Sequence, residues 1–160
     1  MGVSGSGKTT LGQALARHLG WEFIEGDAHH PEANLAKMAR GEPLDDADRL
    51  PWLEALHRIV VAHAAAGRDL ILACSALKRR YRDLLTRGVA DSRFVFLRGD
   101  SEAIAGRLAT RTGHFMPASL LASQYADLEP PADALVVSAA RPTEEQVQQV
   151  VHALPRDTRP

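Results

Sequence analysis

The residues Gly2-Val3-Ser4-Gly5-Ser6-Gly7-Lys8-Thr9 complete the pattern G-x-x-x-x-G-K-[ST], and this stretch decides the fold. Glycines at these spacings let the backbone curl so that successive N–H groups point at phosphate oxygens. The lysine reaches the β- and γ-phosphates, the threonine hydroxyl binds Mg²⁺, and the following helix adds its positive N-terminal end. A Gly/Ser-rich surface turn is the alternative, but such turns rarely run into a helix through Gly-Lys-Thr-Thr. We therefore assign a nucleoside triphosphate site to Gly2, Val3, Ser4, Gly5, Ser6, Gly7, Lys8, Thr9 and Thr10.

Length and composition restrict the class of protein. The 160 residues have the size of one domain, and a net charge of −1 provides no basic field for binding nucleic acid. No apolar run approaches the roughly 18 residues of a membrane span, and the first residues do not resemble a signal peptide. The single cysteine, Cys74, excludes an internal disulfide and suits a reducing cytosol. We expect a cytoplasmic protein without nucleic-acid or membrane partners.

Helical and strand patterns alternate along the chain. Leu11, Leu15 and Leu19 share one face of a helix that ends before Gly20. Short strands are predicted at 21–25, 70–74, 94–97 and 135–137. Helices are predicted at 8–19, 31–40, 117–128 and 143–153, the last with a capping box of Thr143 and Gln146. Three further helices are predicted: one after a cap at Asp45 or Asp46, one before Gly88, and one around Ile104 and Leu108.

Strands separated by helices predict an α/β fold in which helices cover both faces of a parallel sheet. Ligands in such folds bind at the carboxyl ends of the strands. The phosphate loop and the segments 25–30, 75–78 and 99–100 all fall at strand ends. We therefore expect these segments to surround one cleft, whereas the pattern leaves the order of the strands open.

Two acids follow the first predicted strand. Glu25 and Asp27 stand two residues apart, so an extended segment places them on the same side. Phosphoryl transfer needs acidic groups near the metal and near the attacking hydroxyl. We interpret Glu25 as a holder of metal-bound water, and Asp27 as the residue that orients the acceptor hydroxyl and can take its proton. A turn with two solvated acids is the alternative, and the nearby phosphate loop favours the functional interpretation.

Basic residues form two further candidate groups. Arg107 and Arg111 share a helix face before Gly113, which is the arrangement that a closing lid needs. Guanidinium groups there can neutralise the transferring phosphoryl group or stack over a base. The cluster from Lys78 to Arg82 either binds an anionic acceptor or is a solvated helix surface. A solvated surface is also the alternative for the two arginines.

The residues resemble the bacterial gluconokinases of the thermoresistant type. The most specific stretch is Cys74-Ser75-Ala76-Leu77-Lys78 with Tyr81-Arg82-Asp83-Leu84-Leu85. The resemblance extends from Met1 to about Val151. It includes the phosphate loop, Gly26-Asp27-Ala28-His29-His30-Pro31, Asn34, Lys37-Met38, Gly41-Glu42-Pro43-Leu44, Asp46-Ala47-Asp48-Arg49, Pro51-Trp52-Leu53, Arg107-Leu108, Arg111, Gly113-His114-Phe115, Gln124 and Leu128-Glu129-Pro130.

This resemblance implies a function and a fold. The implied reaction is ATP-dependent phosphorylation of D-gluconate at its 6-hydroxyl, which gives 6-phosphogluconate and ADP, with Mg²⁺ as cofactor. The implied fold is a P-loop kinase similar to shikimate and adenylate kinases over residues 1–154. It has a substrate-binding helical insertion at about 30–67, a lid at about 111–117, and a flexible tail at 155–160. Members of the family are commonly homodimers in the cytosol.

The resemblance also implies roles for single residues. Asp27 would address the acceptor hydroxyl, and Lys8, Arg107 and Arg111 would act on the transferring phosphoryl group. Arg107 would also contact the nucleotide, while Thr9 and Glu25 would hold the metal. The candidates for the sugar-acid pocket are Asp27, His30, Lys37, Arg49, Ser75, Lys78, Arg82, His114 and Gln124. Which cation meets the substrate carboxylate stays open.

One departure concerns the strand that normally precedes a phosphate loop, because only Met1 stands before this one. Deleting that strand would leave unpaired backbone groups in the core, each costing roughly 1–3 kcal/mol. We therefore expect Met1 to be an internal methionine of a longer chain. Two alternatives remain: another small-molecule kinase with a shikimate-like acceptor, or a nucleotide-binding module that the missing strand leaves catalytically impaired.

Overall fold

The computed structural model describes residues 1–110 and 120–155, with the backbone alone at 109 and 110. The predicted lid, with Arg111 and His114, and the tail residues 156–160 lie outside the described residues. The described elements are α1 (Lys8–Leu19), β1 (Glu22–Glu25), a 3₁₀ turn (Gly26–His29), α2 (Glu32–Ala39), α3 (Asp46–Ala65), β2 (Leu70–Ala73), α4 (Arg79–Leu85), β3 (Val95–Arg98), α5 (Ser101–Thr110), α6 (Leu121–Asp127), β4 (Leu135–Ser138) and α7 (Thr143–Ala153).

The strands form two parallel pairs. β1 pairs with β2 from Glu22↔Leu70 to Glu25↔Ala73, and β3 pairs with β4 from Val95↔Leu135 to Arg98↔Ser138. Parallel strands connected through helices confirm the α/β fold class. The expected single sheet is replaced, in the described residues, by these two pairs.

Met1 and Gly2 lie between the two pairs of strands. The α-amino group of Met1 donates to Val95 O at 2.6 Å, and Leu97 N donates to Met1 O at 3.0 Å. These two bonds have the pattern of a parallel ladder. On the other side, Gly2 N donates to Ser75 O at 3.2 Å, just beyond β2. The first two residues therefore connect β3 with the segment that follows β2.

The predicted face of α1 is buried in a core cluster that it shares with β3, β4 and α7. The helix follows Gly7, which has a φ of 99°, and ends before Gly20, which has a φ of 71°. Both values lie in the left-handed region that glycine adopts without steric cost. One core cluster contains Leu11, Leu15, Leu97, Val137, Val147 and Val150, from α1, β3, β4 and α7.

The long helix α3 closes the other side of the molecule. Its N-cap is Asp45, whose carboxylate accepts from Asp48 N at 2.8 Å, and Asp48 Oδ2 accepts from Asp45 N at 2.9 Å. This capping box confirms the start that the sequence predicts. A second core cluster joins Trp52, Leu53, Leu56, Cys74, Tyr81 and Leu85.

The capping box expected at the last helix is wrong. Helix α7 spans Thr143–Ala153 as expected, but its N-cap is Pro142, so Thr143 is already helical. The side chain of Gln146 instead donates through Nε2 to Ser138 O and Arg141 O, both at 3.0 Å. Within the described segments, no helix is both long and apolar enough to cross a membrane.

Candidate active site

The phosphate loop precedes α1 with a curled backbone. Gly5 has a φ of 78°, and Gly7 leads into the helix N-terminus, where the first N–H groups have no intrahelical acceptor. Lys8 Nζ donates to Val3 O at 2.9 Å, inside the curl. Ser4 N donates to Oε1 of Gln124 at 2.6 Å, so helix α6 touches the loop directly. N–H groups, a lysine and a helix N-terminus together form a phosphate-binding cradle.

Thr9 and Glu25 meet beside this cradle. The Thr9 hydroxyl donates to Glu25 Oε2 at 2.6 Å, which joins the first turn of α1 to the last residue of β1. Oxygen atoms of this kind are the ligands that Mg²⁺ prefers, and Mg²⁺ usually keeps waters and phosphate oxygens as further ligands. In residues 1–110 and 120–155, no group of three or more acidic, histidine or cysteine side chains could hold a metal. The pair therefore fits Mg²⁺ that arrives with a nucleotide.

A cavity next to the loop brings together seven of the site residues that the sequence predicts. Its lining includes Ser4, Lys8, Asp27, His30, Arg49, Ser75 and Gln124. The remaining lining residues come mainly from the α2–α3 region and the start of α6: Met38, Pro43, Leu44, Trp52, Leu77, Leu120 and Ser123. The phosphate loop thus shares one cavity with a carboxylate, a guanidinium group and several hydrogen-bonding side chains.

Trp52 fixes the segment that carries Asp27 and His30. Its indole Nε1 donates to Gly26 O at 2.8 Å, within the 3₁₀ turn, and its ring stacks on His30 with centroids 4.0 Å apart. Burial, and then the charge of Arg49, lower the pKa of His30 from 6.5 to about 4. Nδ1 of His30 lies 3.4 Å from the amide nitrogen of Asn34, which can only donate. His30 is therefore a neutral imidazole at pH 7, with Nε2 as its donor.

Arg49 takes part in an ion-pair network at the edge of the cavity. Its Nη1 lies 3.1 Å from Asp127 Oδ2, and Lys78 Nζ lies 3.0 Å from the other oxygen of that carboxylate. Lys78 also pairs with Asp46 at 3.2 Å. The network therefore ties α3 to α6 and to the residue that precedes α4.

Three of the predicted pocket residues do not line the cavity. Lys37 pairs with Asp48 at 2.5 Å, and this hydrogen bond raises the pKa of Lys37. Lys78 belongs to the network described above. The buried Arg82 donates through Nη1 to Ala76 O at 3.1 Å and to Leu77 O at 2.9 Å. Because Ala76 has a φ of 44°, Arg82 holds a strained turn beside Ser75.

Two of the remaining predicted residues, Arg107 and Thr10, lie on helices α5 and α1. Arg107, near the end of α5, donates through Nη2 to Ala139 O at 2.9 Å, directly after β4. Thr10 lies exposed in the first turn of α1. Arg111 and His114 lie outside the described residues, so their roles stay predictions.

Sequence reasoning gave no site role to Trp52, Asn34, Ser123 or Asp127. A signal existed for Trp52, since a buried indole N–H needs an acceptor. Asn34 stands four residues after His30, the spacing at which side chains meet on a helix. Asp127 offered no such signal, because its partners come from distant parts of the chain.

The phosphate loop and the α/β fold define this protein as a P-loop kinase. The fold is shared with a gluconokinase structure from Sinorhizobium meliloti, at 45% identity and a TM-score of 0.84, covering 95% of this chain and 87% of that one. A shikimate kinase from Bacteroides thetaiotaomicron, at 18% identity and a TM-score of 0.60, covering 95% and 94%, shares the fold alone. A family model described as an AAA domain matches residues 1–131.

Curated relatives narrow the class further. A gluconokinase from Gluconobacter oxydans is 53% identical over 133 residues, which is 83% of this chain and 75% of the relative. The thermoresistant gluconokinase of Escherichia coli is 41% identical over 158 residues, or 96% and 90%. The chain belongs to the gluconokinase family.

Proposed function

We propose that this chain transfers the γ-phosphoryl group of ATP to the 6-hydroxyl of D-gluconate, giving 6-phosphogluconate and ADP. The supporting observation is the cavity that Lys8 of the phosphate loop shares with Asp27 and Arg49. These residues supply a cation for the donor phosphates, a carboxylate for the acceptor hydroxyl and a cation for an anionic acceptor. Arg49 pairs with Asp127 and also lines the cavity, where it can pair with an anionic acceptor, so the arrangement favours a sugar acid.

The donor side is the phosphate loop. In this proposal the loop N–H groups and Lys8 bind the phosphates, and Arg107 neutralises phosphate charge or stacks over the base. Thr9 and Glu25 would hold Mg²⁺, which supplies charge neutralisation at the phosphate oxygens when it is bound. The Thr9–Glu25 hydrogen bond keeps both oxygen donors on one side of the loop.

The acceptor side is organised around Asp27. Its carboxylate accepts a hydrogen bond from the attacking hydroxyl and can take the proton as the new P–O bond forms. The neutral His30 and Ser75, which line the cavity, would form hydrogen bonds with the other hydroxyls of the polyol. Arg49 can pair with the substrate carboxylate through two parallel N–H···O bonds, which fixes the orientation of the polyol as well as binding it.

An acceptor screen tests the proposal. Gluconate, shikimate and related sugar acids would be compared with ATP at equal enzyme concentration, and we expect turnover with gluconate. Asp27→Asn keeps the shape of the side chain but removes the base, so kcat should fall about 10²- to 10⁴-fold with a small change in KM. The exposed Asp91→Asn is the matched control. Turnover of another acid, with none of gluconate, would refute the substrate assignment.

The proposal also includes a homodimer in the cytosol, which rests on the family resemblance. Sedimentation velocity at several protein concentrations would measure the oligomeric state. Binding of ATP without turnover of any acceptor in the screen would support the nucleotide-binding module instead.

A further inference from the structure

An unusual concentration of charge surrounds Tyr81 at the edge of the cavity. Among the described residues, three cations and two carboxylates meet there, and we call them the Tyr81 cluster: Arg49, Lys78, Arg80, Asp46 and Asp127. The cations of Arg49, Lys78 and Arg80 all lie 5.6–5.7 Å from the centroid of the Tyr81 ring. The tyrosine hydroxyl and Arg80 both contact Asp46. The cluster therefore carries one more positive charge than negative.

Asp127 pairs with two cations of this cluster, Arg49 and Lys78. Arg49 and Lys78 lie 3.1 and 3.0 Å from its two oxygens, and their side chains are only 11% and 21% exposed. Arg49 lines the cavity, whereas Asp127 does not. The carboxylate thus approaches Arg49 from outside the cavity and satisfies part of the guanidinium group that an anionic acceptor would use.

We propose that Asp127 competes with the carboxylate of the acceptor for Arg49 and so lowers the affinity of the site for anionic acceptors. This inference rests on the proposed function, from which it takes gluconate as the acceptor and Arg49 as the partner of its carboxylate. Binding of gluconate would require Arg49 to give up part of its pairing with Asp127, which weakens binding of every anionic acceptor. Acids whose hydroxyls also reach Asp27, His30 and Ser75 recover that loss through those contacts, whereas simple carboxylates do not.

Removing the charge of Asp127 tests this competition. In Asp127→Asn the cluster has a surplus of two positive charges, and Arg49 can pair with the substrate from the start. We expect the KM for gluconate to fall about two- to fivefold, as for the loss of one partly exposed ion pair, with kcat within about twofold of the unmodified enzyme. Asp127→Glu keeps the charge and should restore the original KM. Asp91→Asn removes an exposed acid elsewhere and should leave KM unchanged.

A second readout does not depend on turnover. The reaction of Arg49 with phenylglyoxal, followed by mass spectrometry of the peptide that contains it, reports how available the guanidinium group is. The rate should rise at least about twofold in Asp127→Asn, because the paired guanidinium group of the unmodified chain reacts more slowly. Asp91→Asn should leave this rate unchanged.

The two readouts separate this inference from the proposed function. An unchanged rate of Arg49 modification in Asp127→Asn would overturn the inference whatever the acceptor is. An unchanged KM in an enzyme that phosphorylates gluconate would overturn it too and leave the proposed function intact. If the unmodified chain does not phosphorylate gluconate, the proposed function fails. The competition is then judged by Arg49 reactivity and by the KM of the acid that the screen identifies.

Discussion

Replacing His30 with glutamine is expected to change how the stability of this protein depends on pH. His30 stacks on Trp52, and its pKa is lowered to about 4 from the value of 6.5 that we take for the unfolded chain. Below pH 6.5 the unfolded chain binds a proton that the folded protein excludes. The contribution of the neutral His30 side chain to the free energy of unfolding is therefore lost progressively as the pH falls from 6.5 towards 4.

The expected size of this effect follows from the two pKa values. Between pH 7 and pH 5, linkage at His30 removes about 2 kcal/mol from the free energy of unfolding. His30→Gln abolishes this contribution, but it loses the ring contact with Trp52, worth about 1 kcal/mol.

The order of stability of the unmodified protein and the His30→Gln variant should therefore reverse between pH 7 and pH 5. The variant is expected to be less stable than the unmodified protein by about 1 kcal/mol at pH 7 and more stable by about 1 kcal/mol at pH 5. Urea unfolding followed by far-ultraviolet circular dichroism at both pH values measures this difference. His18→Gln, which replaces an exposed histidine, is the control. A constant gap between variant and unmodified protein across this pH range would refute the reasoning.

Two further predictions concern residues that support the site. Arg82→Met leaves the carbonyl groups of Ala76 and Leu77 without their buried donor and should lower the free energy of unfolding by about 2–4 kcal/mol. Urea unfolding at pH 7 measures this loss, with Arg79→Met, at an exposed position, as the control. An equal loss in both variants would contradict the structural role of Arg82. Glu25→Gln weakens the second oxygen donor beside Thr9 and should raise the Mg²⁺ concentration for half-maximal activity about 10-fold or more. Titration of activity with Mg²⁺ measures this concentration, and Glu32→Gln is the control. Matching titration curves for the two variants would argue against a metal role for Glu25.

Local patterns were sufficient to predict most of the elements and to bring several candidate site residues to one cavity. The leucine spacing and Gly20 predict a helix at 8–19, and α1 spans Lys8–Leu19. Acids and loops at strand ends converge because parallel strands carry their carboxyl ends to one edge of the molecule. This rule explains why Lys8, Asp27 and Ser75 line one cavity.

The rest depended on contacts between distant segments. Arg49 and Asp127 are 78 residues apart in sequence, and no local spacing connects them. Arg82 belongs to a basic run that suggested an anion site, but the positive φ of Ala76 creates a turn that uses the guanidinium group internally. The four strands form two separate pairs with Met1 and Gly2 between them. The sequence pattern of a single strand does not encode this arrangement.

Helix α6 contacts the phosphate loop and a residue that lines the cavity through two side chains three residues apart. Gln124 accepts a hydrogen bond from Ser4 of the phosphate loop, and Asp127 pairs with Arg49 beside the acceptor cavity. A ligand that rearranges either contact changes the position of the helix on which the other depends. By thermodynamic reciprocity, whatever factor ATP imposes on acceptor affinity, the acceptor must impose on ATP affinity. The seven residues of this helix can thus couple the proposed donor and acceptor sites, so that binding at one site changes the affinity at the other.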